Sequence, residues 1–430
     1  MSSSALRVGL TGGIACGKSQ VLRRLASAGL PTIDLDLVAH EVMAPGGSAY
    51  EDVVAAFGPD ILKADEAIDR KALGGLVFRD EEARRRLNAL VHPRVWNEEA
   101  RRVAQWSQAG AVAVVTDAAL LVESGHHLRF DRLAVVHCRP EEQIRRLRAR
   151  DGIDDEAARA RLRAQMPIEE KRRFAHFEVS TSGSMEETLA RADALAADVR
   201  RLAAQARRAF TLDRSAAIGC LAHGPVQGPR GLTPPAVLQE IGRSGGIDME
   251  RLSLLLRPRA EEPWYRVARP AETGARPDAL AGVLALWQMA RGFEDEDALL
   301  AASASVARLT HREPEAIGNA CVLGLAMLAV AADGTAAGSL VDRLAAWRAK
   351  AERWAGGRFA DELTPLLRVA EQHPVDVAAA RSSAPAFGAD PGLAGALVGL
   401  RAGAAGTAVS PEVEAAVDAL LRISGRPATG

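Results

Sequence analysis

Gly12-Gly13-Ile14-Ala15-Cys16-Gly17-Lys18-Ser19 follows the apolar run Leu6–Leu10 and opens a stretch with helical spacing, Val21, Leu22 and Leu25. A short apolar run ending in glycines reads as a buried strand, and the apolar period after it reads as a helix. The eight residues fit GxxxxGK[ST], and a strand before and a helix after is the context in which that pattern forms a phosphate-binding loop. The residue types explain why. Glycines let successive backbone N–H groups turn inward around β- and γ-phosphates. The helix N-terminus adds partial positive charge. Lys18 reaches the transferring phosphoryl group, and the Ser19 hydroxyl suits Mg²⁺, a small cation that prefers oxygen ligands. The plainer alternative is a glycine-rich turn that binds nothing. Cys16 stands beside the helix N-terminus, where a thiol pKa can fall. A small side chain that fits is the first reading of it, and oxidation sensitivity the second.

Outward from this loop, Pro31–Asp34, Ala111–Val115 and Leu133–Val136 are further runs of strand length, each between helical patterns. Glu141–Arg150 and Asp154–Arg163 read as arginine-rich helices, and Met185–Arg208 as a long alanine-rich helix that closes the domain. Strands alternating with helices predict a parallel sheet covered on both faces. From Arg214 onward the texture changes to Ala, Gly and Leu. Leu280–Met289, Asp297–Leu309, Pro314–Ala331, Ala336–Trp354, Leu393–Arg401 and Pro411–Leu421 carry apolar residues at helical spacing, and no strand is convincing there. The expectation is an α/β domain over residues 1–209 and an all-α domain over 210–430.

The 430 residues are 48% hydrophobic and 25% charged, which is a globular composition and argues against a disordered chain. A net charge of -1 gives no basic field for nucleic acid, and 4% aromatics leave little for base stacking. No apolar run is expected to reach the roughly 18 residues that span a bilayer. Cys16, Cys138, Cys220 and Cys321 are scattered with no CxxC pair, which suggests a reducing, cytoplasmic setting and no metal cluster.

Asp34-Leu35-Asp36 ends the second predicted strand. Ligands of parallel sheets gather at the carboxyl ends of the strands, so two carboxylates should lie near the phosphates. One of them could accept a proton from an attacking hydroxyl. Either could instead be the N-cap of a helix starting at Leu37. His92-Pro93 suits the start of a helix, with Pro93 in the first turn and His92 as a capping residue.

With Leu10-Thr-Gly-Gly-Ile14, Gly17-Lys-Ser19, Ile33-Asp-Leu-Asp36, Val77-Phe78, Leu87-Asn-Ala-Leu-Val-His-Pro93, Leu120-Leu-Val-Glu123, Arg139-Pro-Glu-Glu-Gln143 and Arg146…Arg150 in order, the first half resembles the dephospho-CoA kinases. The resemblance implies an α/β P-loop kinase fold with a lid, using ATP and Mg²⁺ to phosphorylate the ribose 3′-hydroxyl of the small molecule dephospho-CoA. By that analogy Asp36 is the general base, and Lys18 and Arg146 complete the catalytic set. Gly12, Gly13, Ile14, Ala15, Cys16, Gly17, Lys18, Ser19 and Arg150 hold ATP, Ser19 meets Mg²⁺, and Asp34, His92 and Glu123 face the acceptor. Arg150 could equally be a solvated helix position, and Glu123 an arginine partner. The sequence departs from the family at Ala15-Cys16, usually Gly-Ser, and at Ala119, usually Pro. It departs again at His176 and Thr181, where the family has Asp and Asn beside adenine. Another small-metabolite kinase, or a nucleotide-sensing regulatory protein, are the competing readings.

Residues 214–422 resemble the ADP-ribosylglycohydrolases at Gly219–Pro229, Ala298–Pro314 and Gly388–Gly399. Pro225 stands where an Asp ligand is expected, and Gly392 and Leu393 follow Asp390 where the family has Asp and Thr. One carboxylate cannot assemble an oxygen-rich dinuclear site, so a hydrolase-inactive domain is expected. His311 reads as a helix-junction hydrogen bond.

Overall fold

The computed structural model describes residues 5–204, 217, 220, 237–239, 296–308, 311, 313–333, 339–403 and 409–423. The chain forms two compact units, the first from residues 1–120, 130–168 and 175–205, the second from 121–129, 169–174 and 206–430.

In the first unit, β1 (Leu6–Gly12) leads into α1 (Lys18–Ser27), β2 (Thr32–Asp34) and α2 (Leu35–Val42). Next come α3 (Tyr50–Phe57), α4 (Arg70–Arg79), α5 (Glu81–Gln108), β3 (Ala113–Asp117) and β4 (Arg132–His137). The unit ends with α6 (Pro140–Asp151), α7 (Asp155–Arg163), β5 (Phe177–Ser180) and α9 (Met185–Ala204); the short α8 (Ile168–Arg172), between α7 and β5 in the chain, belongs after Ile168 to the second unit. The sheet has the order β2-β3-β1-β4-β5, and every pairing is parallel. Alternation explains its two-sided burial. Leu6, Val8 and Leu10 pack with Val21, Leu25, Leu195 and Val199 on one face. Val114 and Ile33 pack with Val38, Val91, Val95 and Val103 on the other. Each such side chain contributes about 1.5–3 kcal/mol by leaving water. The strand expectations agree with β1 to β4 to within two or three residues, and the closing helix is described as far as Ala204.

One expectation fails in α5. His92-Pro93 does not start a helix, because α5 runs 28 residues with Pro93 inside it. The start lies at Asp80, whose carboxylate accepts from the amides of Glu82 at 2.8 Å and Ala83 at 3.1 Å, with Glu81 and Glu82 in the first turn. That cap and those charges outweigh the one missing donor at Pro93. His92 is therefore an exposed residue within the helix and not at its start.

Within the second unit the described residues of 206–430 form helices α10 (Glu296–Ala307), α11 (Pro314–Asp333), α12 (Leu340–Ala355), α13 (Thr364–Gln372), α14 (Val377–Ser383), α15 (Pro391–Ala402) and α16 (Pro411–Ile423). The segments α13 and α14 were not anticipated. The expected helix Leu280–Met289, the glycine-rich stretch at Gly219–Pro229 apart from Cys220, and Thr310 lie outside the described residues. The expectation that no stretch is apolar and long enough to cross a bilayer is overturned by 314–331. That window has a mean hydropathy of 1.6 and is 72% buried inside the protein, the burial of a core helix. Asp390 caps α15, its carboxylate accepting from the Leu393 amide at 2.9 Å. The His311 amide donates to the Ala307 carbonyl at 2.9 Å at the α10–α11 junction.

Residues 121–129 and 169–174 fold with these helices. His127 Nε2 lies 3.2 Å from Ser305 Oγ, and its ring meets Phe174 edge-on with centroids 5.1 Å apart. The Arg308 guanidinium lies 5.2 Å from the centre of the Phe174 ring. Burial drives the His127 imidazole down to about 3, so the ring stays neutral at pH 7. A chain ended after residue 209 lacks Ser305 and Arg308. Stranding a buried polar partner costs about 1–3 kcal/mol. The 1–209 fragment should therefore melt several degrees below the full chain and bind a hydrophobic dye. Equal melting would show that these segments hold without their helical partners.

Candidate functional site

The turn from β1 to α1 is shaped by one close backbone approach and two left-handed residues. A Cβ on Gly12 would lie 2.4 Å from the Val136 carbonyl oxygen of β4, so a side chain there would force β1 and β4 apart. Gly17 caps α1 at φ 77°. Ala15 also has positive φ, 59°, which costs a residue with a Cβ about 1–2 kcal/mol. The strain sits at one of the positions where the sequence departs from Gly-Ser.

Side chains from the next elements hold this loop. The Ile14 amide donates to Gln165 Oε1 at 2.9 Å, and its carbonyl accepts from Gln143 Nε2 at 2.8 Å. Thr181, just past β5, donates its hydroxyl to the Cys16 carbonyl at 2.7 Å. Arg146 on α6 binds Thr181 twice, at Oγ1 (3.0 Å) and at the carbonyl oxygen (2.7 Å). Cys16 and Cys138 are buried with their sulfurs 3.8 Å apart.

Lys18 projects from the first turn of α1 and forms an ion pair with Asp117, the last residue of β3. Register places Asp34 beside Asp117 across β2 and β3. Asp34 is the N-cap of α2, accepting from the amides of Asp36 (2.9 Å) and Leu37 (3.2 Å), so the capping alternative holds for Asp34. Asp36 is exposed in the first turn of α2. Its field and that of Asp34 both reach Asp117. Gly12–Ser19, Asp34, Asp36, Asp117, Arg146 and Thr181 thus share the carboxyl edge of the sheet. The donors there are hydroxyl and carboxylate oxygens, which fit a hard divalent cation.

Three further expected residues sit on α6, on α5 and in the second unit. Arg150 is one turn beyond Arg146 and binds Asp151 at 2.7 Å, near the end of α6. His92 is on the middle of α5. Glu123 belongs to the second unit and pairs at 2.8 Å with Lys171, which is fully buried. His176 is not at the loop end of the sheet. Its amide and its Nδ1 bond Leu133 (2.8 and 3.0 Å), which is in register with Gly9, so it stands about three residues below the loop. Of the two departures ascribed to an adenine contact, only Thr181 reaches the loop.

Asp117 and Gln165 were missed. Asp117 had a signal, since Ala111–Val115 followed by Thr116-Asp117 is a buried parallel strand ending in a carboxylate, in the place where parallel sheets bind ligands. Gln165 had none, because a loop glutamine shows no spacing.

Residues 6–187 match the family described as Dephospho-CoA kinase. A Dephospho-CoA kinase of Geobacter sulfurreducens is 46% identical over 180 residues, 42% of this chain and 91% of that protein. One of Geobacillus kaustophilus is 45% identical over 183 residues, 43% of this chain and 91% of that protein. A crystal structure of TT1252 from Thermus thermophilus is 36% identical, covers 46% of this chain and 99% of that one, and has a TM-score of 0.41.

Burial pushes the Asp117 carboxyl up to about 6; Lys18 opposes the rise, and Asp34 and Asp36 add to it. The folded protein thus keeps this proton to about pH 6, whereas the unfolded chain releases it near 3.8. The stability from this group is complete below the lower value and is lost as pH rises through the window, by about 3 kcal/mol at 1.36 kcal/mol per pKa unit. Asp117→Asn should flatten the fall in melting temperature across that window. Superimposable profiles for the two proteins would rule out a raised Asp117.

Proposed function

The chain belongs to the dephospho-CoA kinase family, and from that membership we propose how its loop, carboxylates and arginine divide the work of the reaction. The enzyme transfers a phosphoryl group from ATP to dephospho-CoA, the final step of coenzyme A synthesis. The observation that carries the assignment of roles is the cluster of Lys18, Asp117, Asp34 and Asp36 at the carboxyl edge of the central strands.

Amides of the loop Gly12–Ser19 and the N-terminus of α1 face the phosphates of ATP. Lys18 leaves Asp117 for the phosphate oxygens when the nucleotide arrives. The ribose 3′-hydroxyl oxygen of dephospho-CoA attacks the γ-phosphorus, and the bond to the β,γ-bridging oxygen breaks. ADP leaves with the bonding pair, and Asp36 takes the hydroxyl proton. Asp36 suits this task better than Asp34, whose carboxylate is engaged as a cap. Arg146 neutralises charge on the transferring group, and Thr181 fixes its direction. Mg²⁺, when bound, would be held by Ser19 with Asp117 or Asp34 and would neutralise phosphate charge. Among the described residues no three His, Cys, Asp or Glu converge on one point, which suits a cation completed by phosphates and water. The four free cysteines fit a reducing, cytoplasmic setting.

The helical region is proposed to be a degenerate ADP-ribosylglycohydrolase domain. Asp390, its one surviving candidate ligand, serves as a helix cap. Residues 210–430 then act as a scaffold or a binding module.

The decisive assay is ADP release by the full chain with ATP and Mg²⁺, comparing dephospho-CoA with adenosine and shikimate. Turnover is expected with dephospho-CoA alone. Asp36→Asn should lower kcat by about 10²–10⁴-fold with ATP binding little changed. A variant that turns over at the parent rate would remove Asp36 from the role of base. Incubation with ADP-ribosylated protein and Mg²⁺ should release no ADP-ribose, and release would overturn the reading of the helical region.

A further inference from the structure

Cys16 and Cys138 meet inside the first unit, one in the phosphate loop and one just past β4. Register explains the meeting. Gly12 of β1 faces Val136 of β4, so the chain leaves both strands side by side, and the two thiols come four and two residues later. Their sulfurs are 3.8 Å apart, which is van der Waals contact, and Cys16 is 0% and Cys138 3% exposed. Among the four free cysteines, these are the two joined by a sulfur–sulfur contact among the described residues.

We propose that Cys16 and Cys138 form a reversible disulfide that disables the phosphate loop when the protein meets hydrogen peroxide.

The environment assigns the order of events. The contact with Cys16 lowers the Cys138 thiol most, and Arg146 and Thr181 also lower it, while burial and Glu142 oppose. The same contact and burial raise Cys16. Cys138 is therefore the thiol that ionises more readily of the two, and its sulfur is the first nucleophile. Its sulfur attacks one peroxide oxygen, the O–O bond breaks, and the departing hydroxide takes up the proton that the thiol gave. Cys138 is then a sulfenic acid. The Cys16 sulfur attacks the Cys138 sulfur, the S–O bond breaks, and the second hydroxide leaves as water with the Cys16 proton. Two thiols are oxidised by two electrons, and one peroxide is reduced to two waters.

Closure has a mechanical consequence. A disulfide needs sulfurs about 2.05 Å apart, so they must approach by roughly 1.8 Å. Cys16 lies between Ala15 and Gly17, both left-handed, and its carbonyl is held by Thr181, which in turn holds Arg146. A hydrogen bond stretched by more than about 1 Å is lost. The bond would thus pull the loop off Thr181 and release Arg146. The loss of turnover rests on the kinase assignment above, but the cross-link itself does not.

The test treats the purified full chain with hydrogen peroxide, then alkylates free thiols and digests with trypsin without reductant. Because Arg139 is followed by Pro140, the cross-linked product is residues 8–18 joined to 133–145. That product should appear with at least a tenfold loss of dephospho-CoA turnover, and dithiothreitol should reverse both. Cys138→Ser and Cys138→Ala should keep turnover and resist the oxidant. Alkylated Cys16 and Cys138 after peroxide treatment would overturn the proposal. So would a bridge to Cys220 or Cys321, or a cross-linked protein with full turnover. If the unoxidised chain turns nothing over, the joined peptide still decides whether the disulfide forms, and the fault then lies with the kinase assignment.

Discussion

The absence of a side chain at Gly12 is the constraint on which the site depends. β1 is the central strand, closed between β3 and β4, and its last residue lies against the backbone of Val136. Because no Cβ intervenes, the chain turns off the sheet edge immediately and enters α1 within six residues. That short path leaves the loop amides and the start of α1 at the carboxyl edge, where the order of strands places β3 on one side and β4 on the other. Asp117 and Cys138 reach the loop for the same reason, since each lies at or just past the end of a strand flanking β1. A side chain at Gly12 would separate the strands and move all three groups together.

Much of this arrangement is legible in the sequence. The period change from Leu6–Leu10 to Val21–Leu25 placed a strand before the loop and a helix after it, and apolar runs located β3 and β4. Fully buried strands announce themselves by composition, because both faces must be apolar. Harder to read were features set by competition. At α5 a strong N-cap at Asp80 and two acidic residues compete with a proline, and local rules do not give the winner. At Asp34 and Asp36 both carboxylates had the same two possible duties, and only backbone direction assigns the cap to the first. His176 shows a different limit. Its distance along the chain from the loop says nothing about which end of β5 it occupies, and register with Leu133 puts it at the far end.

The helical part follows another logic. Its α11 is apolar all round because it is buried on every side, so no stripe marks its packing face. A helix of that kind satisfies a length-and-hydropathy test for a bilayer and a core position equally well. Residues 121–129 and 169–174 could not have been assigned to it from sequence at all, because they match the kinase family while packing within the helical unit. Their contacts, His127 with Ser305 and Phe174 with Arg308, join positions more than a hundred residues apart.

Charge at the sheet edge gives the last step. Asp34, Asp36 and Asp117 stand against Lys18 and Arg146, so the side chains there are net acidic before a nucleotide arrives. A polyphosphate adds more negative charge to the same place. Lys18 cannot neutralise both Asp117 and the phosphates, and Arg146 is tied to Thr181. Two things can resolve the excess. A divalent cation placed among these oxygens inverts the local field, and the proton that Asp117 retains to about pH 6 reduces it in the empty site. Burial raises the Asp117 carboxyl, and the neighbouring carboxylates that add to the rise supply the oxygens that suit a hard cation. Asp36, exposed in the first turn of α2, adds to that surplus of carboxylates, whereas Asp34 spends its carboxylate on the helix cap.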